Sequence, residues 1–154
     1  AMLRLQAMGF NPQLGLDTYF YGKADADGKK VIGLESVDFQ IDLFDSLSET
    51  DPNAYVRRSL ADLELIETDV ASLEKAWETG DIEALNKMMT ISFEDHPKIH
   101  DRLVTERNRA WISKITDLAN QDGNVLVIVG AGHLIGKESL LDLLRERGYK
   151  IRQR

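Results

Sequence analysis

The fold reading turns on residues 125 to 136, Val125-Leu-Val-Ile-Val-Gly-Ala-Gly-His-Leu-Ile-Gly136. Its first five residues are consecutive branched apolar side chains that leave no polar side to face water, the pattern of an interior sheet strand covered on both faces. The seven that follow, Gly130 to Gly136, read as the turn between that strand and a helix, the place where open α/β sheets build their sites. Gly130 and Gly132 permit backbone angles and close approaches that other residues resist, which makes them candidates for binding a cofactor. His133 projects from this turn. Its imidazole is placed either to coordinate a metal or move protons near neutral pH, or simply to hydrogen-bond within a tight turn. A dinucleotide site is a poor fit, because the third glycine falls one residue late for GxGxxG and only 18 residues follow Gly136.

Working outward, Glu138 to Arg147 reads as a helix through Leu140, Leu141, Leu143 and Leu144. Gly148 is its cap, and residues 149–152 form a final strand. Upstream, a short helix covers Asp17 to Ala24. Val31 to Leu34 is a strand with Glu35 at its carboxyl end, and Ser36 is an N-cap for a helix using Phe39, Leu43, Phe44 and Leu47. Asp51-Pro52 opens a long amphipathic helix through Val56, Leu60, Leu63, Val70, Leu73 and Trp77, and Gly80 ends it. Asp81 caps the next, through Leu85, Met88 and Met89. Pro97 to Ala119 is a further helix, its stripe formed by Leu103, Val104, Trp111, Ile112, Ile115 and Leu118. With no linker or repeat, the expectation is one α/β domain over residues 1–154. Helices would pack around a small central sheet of about three strands near 31–35, 125–129 and 149–152. So few strands leave the sheet looking incomplete.

Composition narrows the function. With 43% hydrophobic and 29% charged residues, the 154-residue chain is long enough to bury one core. Its 26 acidic and 19 basic residues give a net charge of -7, which argues against nucleic acid. No apolar run approaches the ~20 residues of a membrane span. Cysteine is absent, which excludes disulfides and thiolate metal sites and leaves the compartment open. Ala1 ahead of Met2 reads as a cloning remnant, so a targeting segment upstream of Met2 stays open.

Among charged residues, Arg107 falls inside the stripe of Leu103, Trp111, Ile115 and Leu118 at 100° per residue. A guanidinium there needs acceptors, either a carboxylate such as Glu35 or a polar cleft. Asn108 sits at the stripe's margin and Glu106 outside it. His96 and His100 are spaced i, i+4, but Pro97 and the missing HExxH base make them a solvated helix start rather than a zinc pair.

Four segments in order give the chain a family resemblance. They are Gly15-Leu-Asp17 with Tyr19-Phe20 and Ala24; Gly33-Leu-Glu35 with Gln40 and Phe44; Glu106-Arg-Asn108 with Trp111; and Val129-Gly-Ala-Gly-His-Leu134 with Gly136, Leu143-Leu-Arg145 and Arg147-Gly-Tyr149. The set resembles the TraB/GumN family, which includes the TIKI metalloproteases. That family carries two GxxH motifs and acidic residues in a metal site. Here Gly130 to His133 matches the second motif and the first has no counterpart, so the resemblance implies the C-terminal half of a family member. It further implies metal-dependent hydrolysis of a peptide or protein substrate, with manganese, cobalt or zinc as the divalent metal. His133 and Glu35 would be ligands, Glu35 alternatively the general base, and Arg107, Glu106 and Asn108 would join the catalytic group. A lone GxxH implies weak or absent activity for this chain alone. The resemblance further implies a bacterial envelope setting, and the missing half implies self-association as a homodimer through exposed sheet edge or apolar helix face. The competing class is a non-catalytic binding or assembly module docking through Trp77 and Met88.

Overall fold

A computed structural model describes residues 2–50, 52–94 and 97–153. Asp51, Asp95 and His96 lie outside the described residues, as do the side chains of Leu47 and Leu63. Helix α1 (Met2–Ala7), which the sequence pattern did not announce, is followed by a 3-10 turn at Pro12–Leu14 and by α2 (Leu16–Ala26). Then come α3 (Val37–Thr50), α4 (Pro52–Thr79) and α5 (Ile82–Phe93). A composite helix runs through α6 (Pro97–His100), a π-turn at Asp101–Thr105 and α7 (Glu106–Ala119). A 3-10 turn at Ala131–His133 and α8 (Leu140–Glu146) complete the described elements.

Local chemistry sets these boundaries. The Ser36 hydroxyl accepts from Phe39 N–H at 3.1 Å and starts α3, and Asp81 accepts from Ala84 N–H at 2.9 Å and starts α5. Gly80 ends α4 with φ 68°, in the left-handed region that favours glycine. Helix α8 begins at Leu140 rather than Glu138 because Glu138 itself is left-handed, φ 57°, and Ser139 caps instead, accepting from Asp142 N–H at 3.2 Å. Ser139→Ala is expected to lower stability by about 1 kcal/mol, seen as a lower urea midpoint; an unchanged midpoint would contradict the cap.

The expected three-stranded sheet is not there. Among the described residues the chain is helix-rich without strands, and segments 31–35, 125–129 and 149–152 have no ladder partner. The reason is that a strand exists only where a neighbour takes up its backbone groups, so β-propensity is a preference that tertiary context grants or withholds. The core belongs instead to α7 and α8, through Trp111, Ile112, Ile115, Leu140 and Leu143. Of the expected strands only Leu34 and Val129, near the ends of two of them, pack against it, beside Leu134 and Leu144 from outside those segments. Val125, Leu126, Val127 and Ile128, expected to be covered on both faces, are exposed, Leu126 at 66%. Helices α4 and α5 pack together across the Gly80 turn, where Gln153 Nε2 donates to Gly80 O at 2.8 Å. Among the described residues no helix is long and apolar enough to cross a membrane.

Candidate functional site

The segment before α3 lies against α7 and delivers Glu35 to it. Lys114 Nζ donates to Gly33 O at 2.7 Å, and a Cβ on Gly33 would come within 3.0 Å of Glu35 O, so glycine suits this bend. Glu35 is then saturated by four donors. Its Oε1 accepts from Arg107 Nη2 at 2.5 Å and Gln40 Nε2 at 2.9 Å, and its Oε2 from Arg107 Nε and Trp111 Nε1, both at 3.1 Å. Arg107 thus grips the carboxylate with two nitrogens, the strongest geometry for this pair. The pair is largely buried, 9% of the Glu35 side chain and 19% of the Arg107 side chain being exposed. Burial pushes the Glu35 carboxyl up, but the donors from Arg107, Gln40 and Trp111 together outweigh it and hold the group below its ordinary value.

The π-turn aims these groups. Glu106 N–H reaches back five residues to Asp101 O, and Arg107 Nη1 donates to Leu103 O at 3.0 Å within the same stretch. Such single-turn widenings change the direction of the side chains that follow, and they recur at functional sites. Here they lead directly into Arg107 and Asn108.

His133, only 9% exposed, meets this cluster from the glycine turn. Its ring lies 4.6 Å from the Trp111 ring, whose other neighbour is the Arg107 guanidinium at 4.7 Å. Its Nδ1 is 2.7 Å from Asn108 Oδ1, and Asn108, 1% exposed, sends its Nδ2 to Glu138 O at 3.0 Å. A backbone carbonyl can only accept, so the amide nitrogen of Asn108 must face Glu138 and its oxygen must face His133. His133 Nδ1 therefore carries the proton, and Nε2 holds a bare lone pair with no hydrogen-bond partner among the described residues. Burial first, then the Arg107 charge, lower the imidazole from 6.5 to about 4, the Glu35 charge partly opposing them. At neutral pH the ring is uncharged.

The structure therefore brings together Glu35, Arg107, Asn108 and His133. Glu106 stays outside, exposed on the surface of α7. Gly130 is roomy, a Cβ there reaching only ordinary contact with His133 Cδ2 at 3.9 Å, whereas at Gly132 it would press Met89 Cε at 2.8 Å. Gly132 also borders a cleft of about 260 Å³ between α5 and the glycine turn, whose walls include Met89, Phe93, His100 and Lys137. Two members of the cluster escaped the sequence reading as site residues. Trp111 passed for core, although an indole four residues from a striped arginine shares its face. Gln40 lies five residues from Glu35, near enough along the chain to cap its carboxylate.

The sequence model of the TraB/PrgY/gumN family matches residues 1–153. The chain belongs to that family. The match runs through the whole chain, so the expected restriction to a C-terminal half is not supported. Two curated relatives of this TraB/PrgY/gumN member are distant. An uncharacterized protein of Treponema pallidum (strain Nichols) is 25% identical over 145 residues, 86% of this chain and 43% of that protein. A metalloprotease TIKI homolog of Amphimedon queenslandica is 27% identical over 161 residues, 88% of this chain and 32% of that protein. The chain thus spans less than half the length of these relatives. No solved structure matches it.

The residues present do not by themselves fit a resident metal. Among the described residues no three histidine, aspartate or glutamate side chains come together, and a catalytic metal needs about three protein ligands. His133 Nε2 offers one free lone pair, and both Glu35 oxygens are occupied.

Proposed function

We propose that this TraB/PrgY/gumN member carries one side of a hydrolytic site for a peptide or protein substrate, with His133 as its reacting group. The observation that carries the reading is the His133 imidazole, neutral, fixed at Nδ1 and bare at Nε2 at the head of a glycine turn. A ring that resists protonation down to about pH 4 is a weak general base at neutral pH and a ready lone-pair donor. Its role in this reading is to take a proton from water at Nε2 as the water oxygen attacks a carbonyl carbon, and to return that proton to the leaving amine as the C–N bond breaks. Arg107 and Glu35 act behind it. The Arg107 charge, only partly offset by Glu35, favours the neutral ring, and the pair keeps Trp111 in place against it. The cleft lined in part by Met89, Phe93 and Ile135 gives an apolar substrate side chain a seat beside the turn. The distant TIKI metalloprotease homolog supports peptide hydrolysis as the reaction class. No step is assigned to a metal, because the described ligand set is too small.

The test is cleavage of a fluorogenic casein by the chain and by His133→Ala, each alone and with manganese, cobalt or zinc. The expected result is a slow His133-dependent rate, lower by about 100-fold or more in the variant. Equal rates in the two proteins under every condition would overturn it.

A second reading, an assembly module pairing two copies, rests on exposed Val125 to Ile128 and on Trp77, 54% exposed beside Leu73 and Phe10. Concentration-dependent sedimentation abolished by Leu126→Lys would favour it.

A further inference from the structure

Glu138 touches the His133 cluster through its backbone carbonyl, which accepts from Asn108 Nδ2, and three observations converge on it. It is the one non-glycine residue with positive φ among the described residues, at 57°. A side chain there is strained by about 1 kcal/mol or more, which persists only where surroundings hold it. Those surroundings are visible. Arg109 Nε donates to Glu138 Oε1 at 3.0 Å, and Arg109 Nη2 donates to the same oxygen. The carbonyl that this backbone conformation presents is the one that accepts from Asn108 Nδ2. Arg109 and Asn108 are adjacent on α7, so one residue of the loop is held by its side chain to the first and by its carbonyl to the second.

We propose that Glu138 is a positioning residue for His133, acting through its left-handed backbone. The carbonyl selects the orientation of the Asn108 amide, and that orientation selects the Nδ1–H tautomer of His133, leaving Nε2 bare. The Arg109 pair holds the loop residue in the conformation that does this. Apart from that carbonyl, no other contact of the ring among the described residues demands Nδ1–H. An Asn108 amide turned the other way would donate to Nδ1 and force the proton onto Nε2, removing the lone pair the hydrolytic reading uses. Polar groups buried this deeply are seldom left unpaired, so the direction of one hydrogen bond propagates to the next.

The proposal rests on the hydrolytic reading for its purpose but not for its test. Long-range proton–nitrogen NMR of the His133 ring at pH 7 reports which nitrogen bears hydrogen, whatever the protein hydrolyses. In the unaltered chain, Nδ1 is expected at the protonated-nitrogen position and Nε2 at the bare-nitrogen position. Glu138→Gly keeps the left-handed backbone at no steric cost and should keep that pattern. Glu138→Val, a β-branched residue ill suited to positive φ, should lose it, moving the proton wholly or partly to Nε2. Asn108→Leu should do the same without touching the loop backbone, and it serves where the valine variant does not fold. Retention of Nδ1–H in folded Asn108→Leu or Glu138→Val, or its loss in Glu138→Gly, overturns the proposal. Failure of casein cleavage with the tautomer pattern as expected would strike the hydrolytic reading alone.

Discussion

Arg107→Ala is expected to lower the unfolding free energy by about 3–5 kcal/mol, among the largest single-residue effects in the chain. The magnitude comes from what is left behind rather than from the contact removed. Without the guanidinium, Glu35 stays largely buried with only Gln40 and Trp111 as donors, and a carboxylate in that setting must be protonated or drag in water. Removing both charges together should cost less. Glu35→Met with Arg107→Met replaces the pair by apolar side chains of similar reach and should recover more than half of the loss, leaving mainly the orphaned Trp111 N–H to account for. Urea unfolding of the three proteins measures this. A double variant no more stable than Arg107→Ala would contradict the buried-pair description.

The second large effect is on acid stability, and its sign follows from the direction of the His133 shift. The unfolded chain takes up a proton at His133 near 6.5, the folded chain only at about 4. Between those values the unfolded state binds more protons, so stability is complete above pH 6.5, falls as the pH drops to about 4, and falls no further from this group below that. The full span is up to about 3 kcal/mol. Glu35 works in the same direction at lower pH. Its folded carboxyl lies below 4.5, so its contribution is present above that value and is lost as pH falls beneath it. The difference in unfolding free energy between the unaltered chain and His133→Gln should therefore shrink as pH falls from 6.5 to 4. A difference independent of pH over that window would mean that His133 is as solvated folded as unfolded.

The helices were largely legible because their signals are local. Ser36 and Asp81 cap where hydroxyl or carboxylate precedes an apolar period, and Gly80 stops α4 where a left-handed residue is required. The pairing of Arg107 with Glu35 was also within reach, since a guanidinium on an apolar stripe must find an acceptor. The sheet was not legible, for a physical reason. Val125 to Val129 states a preference for a two-sided cover, and nothing in those five side chains says whether a partner strand exists. Among the described residues only Val129 gets its cover, from α7 and α8. The inner workings of the site were equally hidden. A continuous 100° helical wheel has no place for the π-turn at Asp101–Thr105, and it left Asn108 at a margin when it is among the most buried residues described. Nor does the letter Glu at 138 announce a left-handed backbone, which elsewhere in the described chain is occupied by glycine.

What unites the cluster is a claim about one ring: His133 is neutral, protonated at Nδ1 and bare at Nε2, because burial, Arg107 and Asn108 make it so. Nitrogen-detected NMR of the His133 imidazole at pH 5.5 tests this most directly, since an ordinary histidine there is mostly cationic. A neutral ring with the proton on Nδ1 and an unprotonated Nε2 is the expected result. A ring protonated on both nitrogens at that pH, or a neutral ring with its proton on Nε2, would contradict it.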